Sequence, residues 1–178
     1  SDPGFIEVHR LGTFPERSLD IDVVFDLMIH DLDLVLAFAG SVVQSIEAVG
    51  VPVLTGRVDI ANARLRFESG CVANITASRI SRDRTRKIRF FQRDAYISID
   101  CGSKEAEMYR LVTVPGSRPA IQGGPLAVRD SEPLRSELED FVAAVREGRA
   151  PRVGGEAGRR AVDLAQQITA RMAETARA

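Results

Sequence analysis

"DIANARLRFESGCVANITASRI", residues 59–80, alternates through its first half. Ile60, Asn62, Arg64 and Arg66 fall on one side, and Ala61, Ala63, Leu65 and Phe67 on the other. A period of two marks a half-buried strand. Glu68-Ser69-Gly70 is turn chemistry, so Val72–Ile80 reads as the hairpin partner. The same pattern continues in "TRKIRFFQ" (85–92), "AYISID" (95–100) and "EAEMYRLVT" (105–113), with turns at Arg93-Asp94 and Gly102-Ser103. Upstream, residues 41–51 are rich in Val and Ile, and residues 4–12 lie between turn formers. Residues 115–129 are rich in Gly and Pro and read as an irregular surface loop. Strands that follow one another without helices between them imply a mostly antiparallel sheet.

Three helices frame that run. The first spans about Asp22 to Phe38 and stops at Gly40. Ser131 is placed to cap the second, with Pro133 in its opening turn and Leu134, Leu138, Phe141, Val142 and Val145 as its apolar stripe. "APRVGGE" connects it to the third, Glu156 to Met172, with Val162, Ala165, Ile168 and Met172 along one face. The expected fold is α+β: an open, mostly antiparallel sheet with helices packed on one face, as one domain over residues 1–178.

Composition narrows the function. Lys plus Arg total 24 against 25 acids, a net charge of -1, so no whole-molecule field favours nucleic acid or anionic lipid. No apolar run reaches the ~20 residues of a membrane span. Cys71 and Cys101 form no CxxC pair, suggest no zinc site, and read as small buried hydrophobes. With no disulfide framework and no signal peptide, the expected location is the cytoplasm. "SRISRDRTRKIRF" clusters Arg79, Arg82, Arg84, Arg86, Lys87 and Arg89. It fits an exposed hairpin that pairs with a partner subunit, or a diphosphate contact. RNA binding is disfavoured by the acidic balance, the absence of Trp and the lack of interleaved aromatics.

The chemistry concentrates in "FDLMIHDLDL", residues 25–34. At about 100° per residue, Asp22, Asp26, His30 and Asp33 share a stripe roughly 80° wide on an otherwise apolar helix, and Asp31 falls elsewhere. The stripe holds acids without Lys or Arg, so it lacks the ion pairs of an ordinary solvent face. Three readings fit: a solvent stripe, a cleft wall with His30 as general base beside orienting carboxylates, or a metal site on Asp26, His30 and Asp33. At the end of the first strand, Arg10 follows His9, the only other histidine. Arg10 either reaches solvent or stands at the cleft edge near an anionic substrate group.

Asp26-x-x-x-His30-x-x-Asp33 on a long helix after the first strand, the strand run, and the closing "FVAAVREGRAPRVGGEAGRRAVDLAQQI" together resemble the C-terminal domain of the Gfo/Idh/MocA oxidoreductases. The resemblance covers nearly the whole chain. It implies an N-terminal Rossmann domain, absent from this chain, that binds NAD or NADP and supplies a lysine. It also implies a sugar or nucleotide-sugar substrate oxidised at a ring hydroxyl, and a homodimer or homotetramer formed through the sheet. His30 then becomes the acid/base, Asp26 the orienting carboxylate, and Asp33 and Arg10 substrate-binding residues. "LDIDVVF" replaces the family's frequent Gly-rich run, and Met28 its frequent Gly. "FIEVHR" with "DVVFDLMIHDLDL" is similar to a branch acting on nucleotide-linked amino sugars, UDP-N-acetylglucosamine 3-dehydrogenases among them. No G-x-G-x-x-G unit occurs, and "VGGEAG" reads as a connector, so no cofactor and no metal are expected in this chain. The alternatives are a non-catalytic scaffold or binding module, and a metal-dependent hydrolase built on Asp26, His30 and Asp33.

Overall fold

Strand β1 (Phe5–Leu11) comes first in sequence yet lies inside the sheet, as a computed structural model shows for residues 2–16, 19–113, 117–129 and 131–176. The other strands are β2 (Val43–Val51), β3 (Ile60–Phe67), β4 (Val72–Ser78), β5 (Thr85–Phe91), β6 (Ala95–Asp100), β7 (Glu105–Val112) and β8 (Ala120–Leu126). Their order is β2-β3-β4-β1-β5-β6-β7-β8. Every neighbouring pair is antiparallel except β1 with β4. The fold is α+β with an open, mostly antiparallel sheet.

Two expectations are corrected here. The basic segment between β4 and β5 is not a hairpin, because β1 takes the facing hydrogen-bonding edges of both strands. Within residues 115–129, a strand, β8, replaces the expected loop, pairing with β7 from Ala106↔Leu126 to Val112↔Ala120. Gly123 and Gly124 take φ of 150° and 153°. Glycine alone holds that backbone without strain, and Pro125 fits because β8 is an edge strand. Pro115 and Gly116 lie outside the described residues.

Alternation sorts the sheet into two faces. Ala61, Ala63, Leu65 and Phe67 of β3 join Ile6, Val8, Ala73, Ile75, Ala77, Ile88 and Phe90 in the core. The helix expected from Asp22 opens with a π-helical turn, Val24–Met28, and continues as α1 (Ile29–Ala39). Gly40, in left-handed conformation, closes α1 on the Leu36 carbonyl. Met28, Leu32 and Val35 point into the core.

Helix α3 (Gly155–Thr175) lies beside α1 and over β2. It buries Ala165, Ile168 and Met172 as expected, with Ala161 and Leu164 beside them, and of the expected face only Val162 is exposed. A Cβ on Gly50 would meet the Met172 sulfur at 2.5 Å, so the missing side chain lets α3 approach β2.

Helix α2 (Pro133–Glu147) is different. Its N-cap is Glu132 rather than Ser131, with the carboxylate accepting from the Leu134 and Arg135 amides. Leu134, Leu138, Phe141, Val142 and Val145 are all exposed, and only Ala144 is buried. Its apolar stripe therefore has no cover from the described residues. No helix among those residues is long and apolar enough to cross a membrane.

Candidate active site

Arg10 emerges from the same face of β1 as Ile6 and Val8 and grips Asp31 at two points. Nε lies 2.6 Å from Oδ2 and Nη2 lies 2.7 Å from Oδ1. Asp31 is 2% exposed. Burial alone would lower the Arg10 pKa, but the hydrogen bond and charge of Asp31 outweigh it and the guanidinium stays charged. This pair pins the first turn of α1 over the end of β1. The sequence carried a signal for it: an acid off the polar stripe of an apolar helix needs a buried cation, and Arg10 has the core-facing parity of its strand.

With Asp31 aimed at the sheet, about 100° per residue places the other side chains of α1. Leu36 turns toward α3, where it lines one groove with Leu164. His30 points outward, on the side of the helix away from α3. Phe38 packs on Phe90 of β5, ring centroids 4.7 Å apart, which sets that flank over the outer strands. There the helix-side surface carries Ile97, Ile99, Ala106, Met108 and Leu126 by register. Among the described residues, no helix makes an extensive contact with β6, β7 or β8. The result is an open bay, with α1 as its wall and the outer strands as its apolar floor.

His30 is exposed on that wall, and Asp26 and Asp33 are half-buried. Among the described residues, none of these three side chains has a hydrogen bond or ion pair. Asp26 sits in the π-helical turn, which offsets it from the ideal helical stripe. Such turns recur at functional sites. Asp33 lies about 200° from Asp31 and so faces away from the sheet. Asp22 leaves the stripe altogether: its carboxylate accepts from the Val58 amide.

A second buried ion pair went unread in the sequence. Arg79 Nε lies 2.9 Å from Asp59 Oδ1, and the residues are 1% and 0% exposed. Asp59 also accepts from the amides of Val53, Leu54 and Thr55 and from the Thr55 hydroxyl. Arg79 donates in turn to the carbonyl of Ile21. The knot ties the loop after β2 to the segment that enters α1. Arg79 is thus a core residue and not part of an exposed basic cluster.

The two cysteines divide. Cys71 is buried as expected, but Cys101 is exposed, in the turn between β6 and β7. Among the described residues, no group of three or more His, Cys, Asp or Glu, Asp26, His30 and Asp33 included, is placed to hold a metal ion.

A sheet open on one face, a histidine-bearing helix on the other and a bay beside it define a class. The chain belongs to the Gfo/Idh/MocA oxidoreductase family, as its C-terminal domain. Residues 12–98 match the family profile described as GFO/IDH/MocA C-terminal domain. The chain is 39% identical, over 168 residues, to a UDP-N-acetylglucosamine 3-dehydrogenase of Acidithiobacillus ferrooxidans, an alignment that covers 93% of this chain and 53% of that protein. A solved structure of the UDP-N-acetylglucosamine 3-dehydrogenase GnnA from that organism superposes with a TM-score of 0.87 at 36% identity, covering 96% of this chain and 54% of its own. A levoglucosan dehydrogenase solved with NADH and L-sorbose shares the fold, with a TM-score of 0.78 at 13% identity over 96% of this chain and 56% of its own. The chain spans about half the length of the relatives it matches.

Proposed function

We propose that this chain is the substrate-binding and acid/base half of an NAD(P)-dependent dehydrogenase that oxidises a ring hydroxyl of a sugar or nucleotide sugar. The observation that carries this is the exposed, unpartnered His30 on the flank of α1 that overlooks the bay, in a chain so similar to a UDP-N-acetylglucosamine 3-dehydrogenase. UDP-N-acetylglucosamine is accordingly the first substrate to test. The nicotinamide, held by another part of the polypeptide, would accept the hydride from the carbinol carbon. His30 takes the hydroxyl proton as the carbonyl forms and returns it in the reverse direction. Asp26 accepts a hydrogen bond from substrate and orients it. Asp33, on the side away from the floor, serves a more distal polar contact. Arg10 acts at the cleft edge, its direction fixed by Asp31.

The surfaces left bare suit two partners. An N-terminal Rossmann domain would cover the outer half of the helix-bearing face and the exposed stripe of α2, closing the bay over His30. The opposite face of the sheet suits a second copy of the chain, giving a dimer or tetramer. It carries an aromatic row, Phe5, Phe91, Tyr96 and Tyr109, with successive ring centroids 5.6, 5.3 and 6.5 Å apart. Two free cysteines and no disulfide fit the reducing cytoplasm.

The test is turnover of UDP-N-acetylglucosamine by the full-length protein with NAD+ and with NADP+. Oxidation by wild type, and its loss in His30→Ala, would support the reading. A full-length protein that oxidises no sugar or nucleotide sugar would return the chain to the scaffold alternative. The 178-residue chain alone is expected to bind neither cofactor and to turn over nothing.

A further inference from the structure

We infer that Arg86 is an anion-binding residue of the bay overlooked by His30, placed to hold a phosphate of the substrate. The inference rests on the reading of the bay as a substrate site. The structure divides the basic cluster that the sequence presents as one. Arg79 is spent on Asp59 in the core. Arg89 pairs with Glu7 on the open face, at 3.1 Å. Lys87 lies on that open face too, in register with His9 and Asp100. Arg82 and Arg84 lie in and beside the connection between β4 and β5. Arg86 alone among the strand cations of β5 comes out on the helix-bearing side, because it stands opposite Arg10.

Two arginines directly opposite on one face of an antiparallel pair repel each other, and such pairs destabilise a sheet. Asp31 compensates one of them only. Both of its oxygens are taken by Arg10, and it is buried. Arg86 is exposed, and among the described residues its side chain has no hydrogen bond or ion pair. The next position in that row is Cys101, whose amide donates to the Arg86 carbonyl. Burial, with the charges of Asp31 and Asp100, pushes the Cys101 thiol up against the opposing pull of Arg10 and, more weakly, Arg86. The next row into the sheet is apolar, Ile88 beside Ile99. An uncompensated guanidinium above an apolar floor, beside an ion pair that holds its neighbour still, is a receptor for a phosphate. Its planar donors match two phosphate oxygens at once. A nucleotide-linked sugar whose ring reaches His30 brings such a group.

Calorimetric titration of UDP into the full-length protein, saturated with NAD+ to fill any dinucleotide site, tests this. Arg86→Gln should weaken UDP binding roughly 10- to 100-fold, the usual effect of losing a charge-assisted hydrogen bond. Arg86→Lys should recover part of it. Arg89→Gln removes the same charge from the opposite face and should leave UDP binding within about twofold of wild type. Unchanged binding in Arg86→Gln, an equal loss in Arg89→Gln, or no UDP binding by wild type would each overturn the subsite. Arg86→Lys keeps the charge, so its partial recovery separates lost contact from misfolding. Turnover of UDP-N-acetylglucosamine is read separately. Arg86-dependent UDP binding without turnover sinks the proposed reaction and leaves the subsite standing, and turnover with Arg86-independent UDP binding does the reverse.

Discussion

Arg79 and Asp59 form an ion pair that solvent does not reach, with Nε and Oδ1 2.9 Å apart. Burial works to raise the Asp59 pKa, but the Leu54 amide, the Thr55 hydroxyl and amide, and Arg79 outweigh it and hold the carboxyl well below the usual range. A carboxyl with a depressed folded pKa adds stability above its unfolded value, near 3.9, and that contribution is lost as pH falls toward the folded value. Asp59→Asn should therefore cost about 3–5 kcal/mol at pH 7, since it leaves Arg79 buried and uncompensated. The gap between the two proteins should narrow as pH falls below about 4. Denaturant melts at several pH values check both the size and the sign.

His30→Ala should lower turnover of the full-length enzyme by roughly 10²–10⁴-fold, the range for loss of a general acid or base. Stability should hardly change, because His30 is exposed and Ala is a good helix former. Asp26→Asn should lower turnover and substrate affinity together. Leu32→Ala, at a fully buried position of the same helix, should instead cost about 2–5 kcal/mol of stability. Kinetics and thermal melts on these variants separate the roles. Normal turnover in His30→Ala would make the stripe structural.

On the open face, Tyr109→Asp would set a charge in the aromatic row beside Tyr96. If that row is the subunit interface, light scattering should show the dimer or tetramer of wild type shifting to monomer in the variant, with the fold kept because Tyr109 is exposed. A monomeric wild type at high micromolar concentration would argue against the interface.

Gly123 is a backbone requirement. A Cβ there would lie 1.9 Å from the Met108 carbonyl oxygen, at a positive φ. Gly123→Ala should destabilise the β7–β8 pairing by more than about 1 kcal/mol. Faster hydrogen exchange confined to residues 105–126 is the expected signature, and unchanged protection there would show that the strand tolerates the side chain.

The central strands were legible because their two faces differ in chemistry. Ala61, Ala63, Leu65 and Phe67 against Asn62, Arg64 and Arg66 state a period of two without ambiguity. Strand β8 hides because its sequence, "AIQGGPL", carries two glycines and a proline, residues that normally break strands, and an edge position lets them serve. The α2 stripe was legible as apolar but not as uncovered, since periodicity shows that a face wants burial and not what buries it. For the site, His30 and Asp26 stood out as polar groups in an apolar helix. Arg79–Asp59 stayed hidden because a buried ion pair joins residues distant in sequence, each ordinary in its own window. Arg86 was visible only as one arginine among several, and its strand partner Arg10 is what sets it apart.

The place of β1 also has a consequence for how the chain is made. β1 is synthesised before the other strands of its sheet, yet both strands that flank it, with partners Val72 and Phe91 for its Phe5, are made later. Until β5 emerges, β1 has no complete set of partners, and β3 and β4 can zip together without it. The interval leaves Phe5, Ile6 and Val8 exposed on a nascent strand. Contacts this distant in sequence are slow to form and open to competing pairings. Arrested nascent chains that stop before β5 should therefore bind chaperone at β1 and be cleaved there by protease, and chains that include β5 should lose both properties together.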